Sequence, residues 1–223
     1  MNRCARVLTW ATWIGALSLV CGCTPQPASK PSSSQTALAT ESELLPTAAT
    51  IETNMGTIKI RLFPEKAPHS VANFARYARS GHYNGTIFHR VIDGFMIQAG
   101  GHLPDLSARL ENFPPVKNEA NNGLSNLSMT VAFARGDDPD SARAQFYINQ
   151  VDNVYLDYTP GQSAGYTVFG EVTEGFDVVH QIASVPTVVQ GEFQALPKKT
   201  VVIQSVTLDS SDEGDNASQQ DTQ

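Results

Sequence analysis

Between residues 58 and 62 apolar and polar positions alternate: Ile58, Ile60 and Leu62 are separated by Lys59 and Arg61. That two-residue period predicts a strand with one face buried, because successive side chains point to opposite faces of a sheet. Ile51 begins an earlier strand, and the intervening Asn54-Met55-Gly56 reads as the turn between the two. Further short strands are predicted over 86–91, 95–98, 130–134, 145–149, 167–172 and 201–208. The period changes to a helical one twice. After Pro68, the apolar residues Val71, Phe74, Ala75 and Ala78 recur at i, i+3, i+4 and i+7, and Gly81 supplies a stop. Later Phe176, Val179, Ile182 and Ala183 form a second apolar stripe. Many short strands with two isolated helices do not follow a βαβ alternation. They predict a mainly β, mostly antiparallel barrel or sandwich with helices over its open ends.

The two ends of the chain lack this patterning. Arg3 and Arg6 precede a mostly apolar stretch, 7–20, interrupted by Thr9, Thr12 and Ser18. It is shorter than the roughly 20 residues that cross a bilayer, and it reads as the core of an export signal occupying 1–22. Residues 24–47 are rich in Pro, Ser, Thr, Ala and Gln with almost no large apolar side chains. Such a stretch cannot bury enough surface to offset its ordering entropy, so 23–47 reads as Cys23 followed by a flexible linker. The polar, acidic segment 210–223 reads as a disordered tail, which leaves one folded domain over 48–209. All three cysteines, Cys4, Cys21 and Cys23, precede that domain, so it contains no internal disulfide.

Val20-Cys21-Gly22-Cys23 resembles the lipobox of bacterial lipoproteins, which is cut before a cysteine that then carries lipid, here Cys23. The usual Leu is absent from the first position and Cys21 is an unusual neighbour, so a plain secretory signal cut nearby stays open as the alternative. Thr24 stands where inner-membrane lipoproteins often carry Asp, which points to an outer-membrane anchor facing the periplasm. The formal charge is −7. Removing Arg3 and Arg6 leaves thirteen basic against 22 acidic residues, a net −9. An acidic chain with no basic run offers no electrostatic footprint for nucleic acid. Anionic lipid would repel it, so any membrane attachment is through the N-terminal lipid.

Two candidate chemistries are weak. Gly161-Gln162-Ser163-Ala164-Gly165 fits the G-x-S-x-G pattern of a hydrolase nucleophile, but that elbow needs a buried strand before it and a helix after it. Here Asp157-Tyr158-Thr159-Pro160 precedes it and the strand-like Thr167-Val168-Phe169 follows. His69, His82, His89, His102 and His180 show neither an H-x-x-x-H nor a Cys-paired spacing, so no metal is predicted. The informative stretch is Phe88-His89-Arg90-Val91-Ile92-Asp93-Gly94-Phe95-Met96-Ile97-Gln98, where one arginine stands among apolar residues ahead of a glycine turn. A two-residue period puts Met96 and Gln98 on one face, with Phe95 and Ile97 on the other.

That stretch resembles the cyclophilin signature F-H-R-hydrophobic-hydrophobic-x-G-F-M-x-Q, matched at every fixed position. The resemblance extends through Asn118-Glu119, Asn122-Gly123-Leu124, the run from Met129 to Arg135, and Gln145-Phe146-Tyr147-Ile148-Asn149. Tyr155-Leu156-Asp157 and the run from Gly165 to Val172 complete the series in order. It covers nearly the whole domain and is closest to the bacterial periplasmic members. The resemblance implies an eight-stranded antiparallel closed barrel capped by two α-helices, and peptidyl-prolyl cis/trans isomerase activity without a cofactor. It implies Arg90 as the catalytic residue and Phe95, Met96, Tyr147 and Leu156 as the pocket for the substrate proline ring. Gln98 and Gln145 would flank the peptide backbone, Ala134 and Arg135 would line the groove, and Tyr155 and Tyr166 would complete its aromatic rim. Proline-containing unfolded or extended chains, and cyclosporin-like cyclic peptides, are the implied partners of a monomeric protein. Two departures stand out. Tyr147 replaces the usual Phe, so its hydroxyl must reach water or a polar neighbour. Arg135 replaces an Asn common in eukaryotic members. The rival reading from another class is a proline-peptide-binding module without turnover.

Overall fold

The structure is a computed structural model and describes residues 45–209. The expected export signal, the lipidation at Cys23, the linker up to residue 44 and the tail 210–223 lie outside the described residues.

The predicted β-hairpin at the start forms from β1 (Ala48–Thr53) and β2 (Gly56–Leu62), with Ile51 opposite Ile58. Ile58, Ile60 and Leu62 are buried and Lys59 and Arg61 exposed, as the alternation requires. Helix α1 (Pro68–Arg79) follows, then β3 (Phe88–Ile92), β4 (Met96–Ala99), β5 (Thr130–Phe133) and β6 (Phe146–Asn149). A single 3-10 turn, Val154–Leu156, precedes β7 (Val168–Glu174) and α2 (Phe176–Ala183). The described residues end with β8 (Thr187–Gln190), β9 (Phe193–Pro197) and β10 (Ile203–Asp209).

Eight strands make one antiparallel sheet in the order β10-β1-β2-β7-β5-β6-β4-β3. The sheet curls until its edge strands β3 and β10 meet, and the seam is an isolated antiparallel bridge between Ile87 and Val202. Backbone bonds from Phe88 N–H to Val201 (2.9 Å) and from Ile203 N–H to Thr86 (2.8 Å) hold it. The expected barrel is therefore a curled sheet whose last joint is a bridge rather than a paired strand. Residue 85 is a glycine and residue 81 another, so the approach to β3 is turn rather than strand.

Both helices close on the inside of this curl. Val71, Phe74 and Ala78 of α1 and Val178, Val179, Ile182 and Ala183 of α2 share one buried cluster with the inward residues of β1, β2 and β4–β7. Its centre is aromatic: Phe74 lies 5.4 Å from Phe169 and 5.8 Å edge-on to Phe146, and Phe133 stacks on Phe169 at 4.5 Å. Such pairs add about 0.5–1.5 kcal/mol each beyond their burial. Phe176, counted in the apolar stripe of α2 from its spacing, is instead 45% exposed. Val178 takes the buried place, seated over Gly56, where an added Cβ would come within 2.7 Å of its Cγ2. Helix α2 starts from Gly175, which has φ +86° and so near a contact with the Thr57 carbonyl that a Cβ would lie 2.3 Å from it.

The separate hairpin β8–β9 has no counterpart among the predicted strands. Its β8 strand is almost wholly exposed or half-buried, so no alternation marks it. Phe193 of β9 packs edge-on against His102 at 4.9 Å.

Helix α1 has no local cap, since Ala67 occupies the N-cap position. The four orphan N–H groups of a helix start need partners, and Glu119, from a loop far along the chain, supplies two. Its carboxylate accepts from His69 N–H (3.1 Å), Ser70 N–H (2.9 Å) and the buried Ser70 hydroxyl (2.7 Å). Replacing Glu119 by Ala should lower stability by about 1–2 kcal/mol, the range for a lost cap, read as a lower urea midpoint at unchanged slope. An unchanged midpoint would show that water caps the helix equally well.

Candidate active site

Strands β5 and β6 are buried along their whole length, and β4 nearly so. Their inward residues join the core, and their outward residues Met96, Ala132 and Tyr147, with Val168 of β7, centre a second cluster. The register shows how this second face is assembled. Arg90 pairs with Gln98, Gln98 with Tyr147, Tyr147 with Ala132, and Ala132 with Val168, a single row across β3, β4, β6, β5 and β7. One row further on, Met96 pairs with Asn149. The expected site residues Arg90, Met96, Gln98 and Tyr147 thus share one face because of strand register. A bulge at His89, between Phe88 and Arg90, turns Arg90 outward from a strand whose Phe88 lies in the core.

The Arg90 guanidinium is half-buried and reaches along this row. Its Nη1 lies 3.5 Å from Gln98 Oε1 and 3.7 Å from Met96 Sδ, and its Cζ is 5.6 Å from the centre of the Phe95 ring. Gln98 in turn donates from Nε2 to Gln145 Oε1 at 3.0 Å. Gln145 fits because residue 101 is glycine: a Cβ there would stand 2.4 Å from Gln145 Cδ. Phe95 does not follow the strand alternation that would have paired it with Ile97. It sits in the turn before β4 and packs with the outward cluster, its ring 6.2 Å from that of Tyr155 and nearly parallel to it. The turn breaks the two-residue period and leaves the ring free to face the site. Tyr155 itself is 68% exposed, at the rim.

The wall opposite Arg90 is formed by Tyr147 and Tyr166, whose rings meet edge-on at 6.0 Å, with Leu156 packed against the same cluster. The Tyr147 hydroxyl finds a protein partner: it donates to Asn126 Oδ1 at 2.8 Å. Burial pushes its pKa well above the ordinary tyrosine value, so it remains a neutral donor. Ala134 N–H bonds the Gln145 carbonyl at 2.9 Å just past β5. Arg135 is committed to its surroundings: Nε donates to Gly165 O (3.0 Å), Nη1 to Gly136 O (2.8 Å), and the guanidinium covers Tyr166 at 4.5 Å. Beside Gln98 and Gln145 opens a cavity of about 230 Å³ that Ala134, Arg135, Arg143 and Glu111 also line. The Ser163 of the hydrolase-like pattern lies in a turn closed by Thr159, with its Oγ accepting from Gly165 N–H, and not on a strand-to-helix elbow. Sequence reasoning missed Asn126. The only trace of it was Asp157, an acid in an otherwise apolar matched segment, which accepts from Asn126 N–H at 2.7 Å.

This arrangement, an apolar ring-sized floor with one guanidinium and two amides at its edge, can hold a small ring and donate hydrogen bonds beside it. The family description "cyclophilin type peptidyl-prolyl cis-trans isomerase/CLD" matches residues 48–208. The chain belongs to the cyclophilin-type peptidyl-prolyl cis-trans isomerases. This cyclophilin is 51% identical over 162 residues to peptidyl-prolyl cis-trans isomerase B of Escherichia coli strain K12, covering 71% of this chain and 98% of that protein. It is 50% identical over 159 residues to peptidyl-prolyl cis-trans isomerase A of Dickeya dadantii, covering 71% and 82%. Among solved structures, a Cryptosporidium parvum cyclophilin-type isomerase shares the fold at a TM-score of 0.60 with 24% identity, covering 74% of this chain and 98% of that one. The same parasite protein was also crystallised in the presence of the dipeptide Ala-Pro.

Beside Gln145, the cyclophilin sets the buried His89 against the half-buried His102. The rings of His89 and His102 lie 4.5 Å apart, and the Nδ1 of each is buried without a hydrogen-bond partner. Burial, then the neighbouring His102, lower the His89 pKa from 6.5 to about 4. The unfolded chain therefore binds a proton at this residue near pH 6.5 that the folded chain refuses until about pH 4. Stability should fall as pH drops through that window, by up to about 3 kcal/mol, and level off below it. Urea midpoints measured from pH 7 to 4 should show the fall in wild type and a flatter profile in His89→Gln. Equal profiles would assign the effect elsewhere.

Proposed function

We propose that this isomerase acts on X-Pro bonds of exported polypeptides, with Arg90 as the catalytic residue. Amide resonance sets the obstacle, a rotation barrier of about 18–20 kcal/mol. Uncatalysed exchange therefore takes tens of seconds or more. As the bond twists, resonance is lost and the prolyl nitrogen gains a basic lone pair. A guanidinium held beside it donates a hydrogen bond that strengthens only as this happens, which is preferential stabilisation of the transition state. Phe95, Met96, Tyr147 and Leu156 would seat the ring, while Gln98 and Gln145 fix the neighbouring backbone, so that rotation is confined to one bond. What supports the reading above all is the single cross-strand row that puts Arg90 beside Gln98 and across from Tyr147. Ala134, Arg135, Tyr155 and Tyr166 would guide the flanking chain. A cyclosporin-like cyclic peptide would compete for the same groove on a monomeric protein.

The test follows cis-to-trans exchange of a short X-Pro-Phe peptide with purified wild type and Arg90→Ala. The rate should rise linearly with wild-type protein and fall at least about tenfold in the variant, a loss of about 1.4 kcal/mol or more of transition-state stabilisation. A cyclic peptide of the cyclosporin type should slow it. Binding of the linear peptide without acceleration would instead make the chain a proline-peptide-binding module.

We also place the protein outside the cytoplasm, anchored by lipid on Cys23 to the outer membrane; the lipobox-like Val20-Cys21-Gly22-Cys23 supports this. In cell fractionation, Cys23→Ser should move the protein from the membrane to the soluble periplasmic fraction. Equal membrane retention of the variant would refute lipidation there.

A further inference from the structure

We propose that Asn126 is the positioning residue of the proline pocket, a single buried amide that ties together the separate elements carrying its walls. The inference rests on the pocket assigned above. Asn126 lies in the loop ahead of β5 and is 0% exposed. A loop residue this deeply buried must satisfy its backbone and side-chain polar groups within the protein, and its bonds reach several separate parts of the site.

On β6, its Oδ1 accepts from the Tyr147 hydroxyl at 2.8 Å. Its Nδ2 donates to Asp157 Oδ1 at 2.9 Å and to the Tyr166 carbonyl at 3.3 Å. Its backbone N–H donates to the same Asp157 oxygen at 2.7 Å, and its carbonyl accepts from Asn153 N–H at 2.7 Å. Asn153 and Asp157 flank the turn Val154–Leu156, so the turn that presents Tyr155 and Leu156 is held at both ends by Asn126. Asn153 then passes the connection on: its Nδ2 donates to the Phe95 carbonyl at 3.0 Å and to Asn149 Oδ1 at 2.8 Å. Asn149 closes the circuit by donating to Asn126 Oδ1 at 3.3 Å and to Thr130 Oγ1 at 2.9 Å.

Four walls that are distant in sequence therefore share one fixed point. Arg90 makes no hydrogen bond to this network among the described residues: its polar contacts run to Gln98 and Met96, and it meets the network only at the face of the Phe95 ring. This separation predicts a division of labour. The pocket grips a ring that is the same in the ground and transition states, so loosening it weakens both alike and raises KM at constant kcat. Loss of the Arg90 donor lowers kcat.

Exchange kinetics over a range of X-Pro-Phe peptide concentrations, with peptide Kd from a direct titration, test this on Asn126→Ala, Tyr147→Phe, the double variant and Arg90→Ala. Asn126→Ala should raise KM and Kd about tenfold with kcat within about twofold of wild type. Tyr147→Phe should raise them about threefold in the wild-type background and add nothing to Asn126→Ala, because the hydroxyl acts only through that amide. An unchanged KM, a fall confined to kcat, or an equal effect of Tyr147→Phe in both backgrounds overturns the proposal. Should Asn126→Ala fail to fold, Tyr147→Phe alone decides: a raised Kd supports the role and an unchanged Kd refutes it. An undiminished kcat in Arg90→Ala would sink the assignment of Arg90 and leave the Asn126 result to be read from Kd.

Discussion

The site depends on a sheet that is covered on both faces. In β4, β5 and β6, alternate residues serve two different clusters, and both faces are largely buried. Ile97, Ile148 and Val131 form an inward row beside Phe74 and Phe169, while Gln98, Tyr147 and Ala132 form the outward row at the pocket. A slip of one residue in any pairing would send core side chains to the pocket and pocket side chains to the core. The aromatic interior thus fixes more than stability: by fixing register it fixes which side chains meet Arg90. The bulge at His89 serves the same end, since it lets one strand give Phe88 to the core and Arg90 to the site.

Covering the second face has an electrostatic cost that the structure meets locally. Polar groups at Tyr147, Asn149 and Thr130 fall on buried strand positions, where an unpaired donor or acceptor costs about 1–3 kcal/mol. Each is matched by a side chain from a loop or a neighbouring strand, so the hydroxyl that distinguishes Tyr147 from phenylalanine is satisfied within the protein. The histidine pair is the exception. Its two Nδ1 atoms have no protein partner and are tolerable only while the rings are neutral, and His89 lies beside Gln145.

Much of the fold was legible because its signal is local. The alternation at Ile58, Ile60 and Leu62 and the stripe Val71, Phe74, Ala75 and Ala78 mark elements that bury one face, and both form within a residue or two of their predicted bounds. The resemblance names the arginine, the apolar floor and the two glutamines that strand register brings onto one face. What escaped is non-local or unpatterned. Glu119 caps a helix some 50 residues earlier in the chain, and no spacing rule connects the two. Strand β8 buries almost nothing, so its sequence carries no period. The two-residue period alone pairs Phe95 with Ile97, and only the resemblance puts it with Met96, because a turn, unlike a strand, imposes no alternation. Asn126 looks like any loop asparagine until Tyr147 and Asp157, 21 and 31 residues away, are brought against it.

The pairing of β1 with β10 has a consequence for how the molecule comes into being. Ala48 faces Asp209 and Ile51 faces Val206, so the first strand of the domain has one of its two neighbours at the very end. The sheet cannot complete itself until β10 is available to pair with β1. Contacts so distant along the chain are reached late, because their loop must be closed before they return any free energy. Until β10 arrives, β1 carries an unpaired edge of the kind other chains can adopt. An isomerase fold of this kind is itself obliged to wait for its last strand.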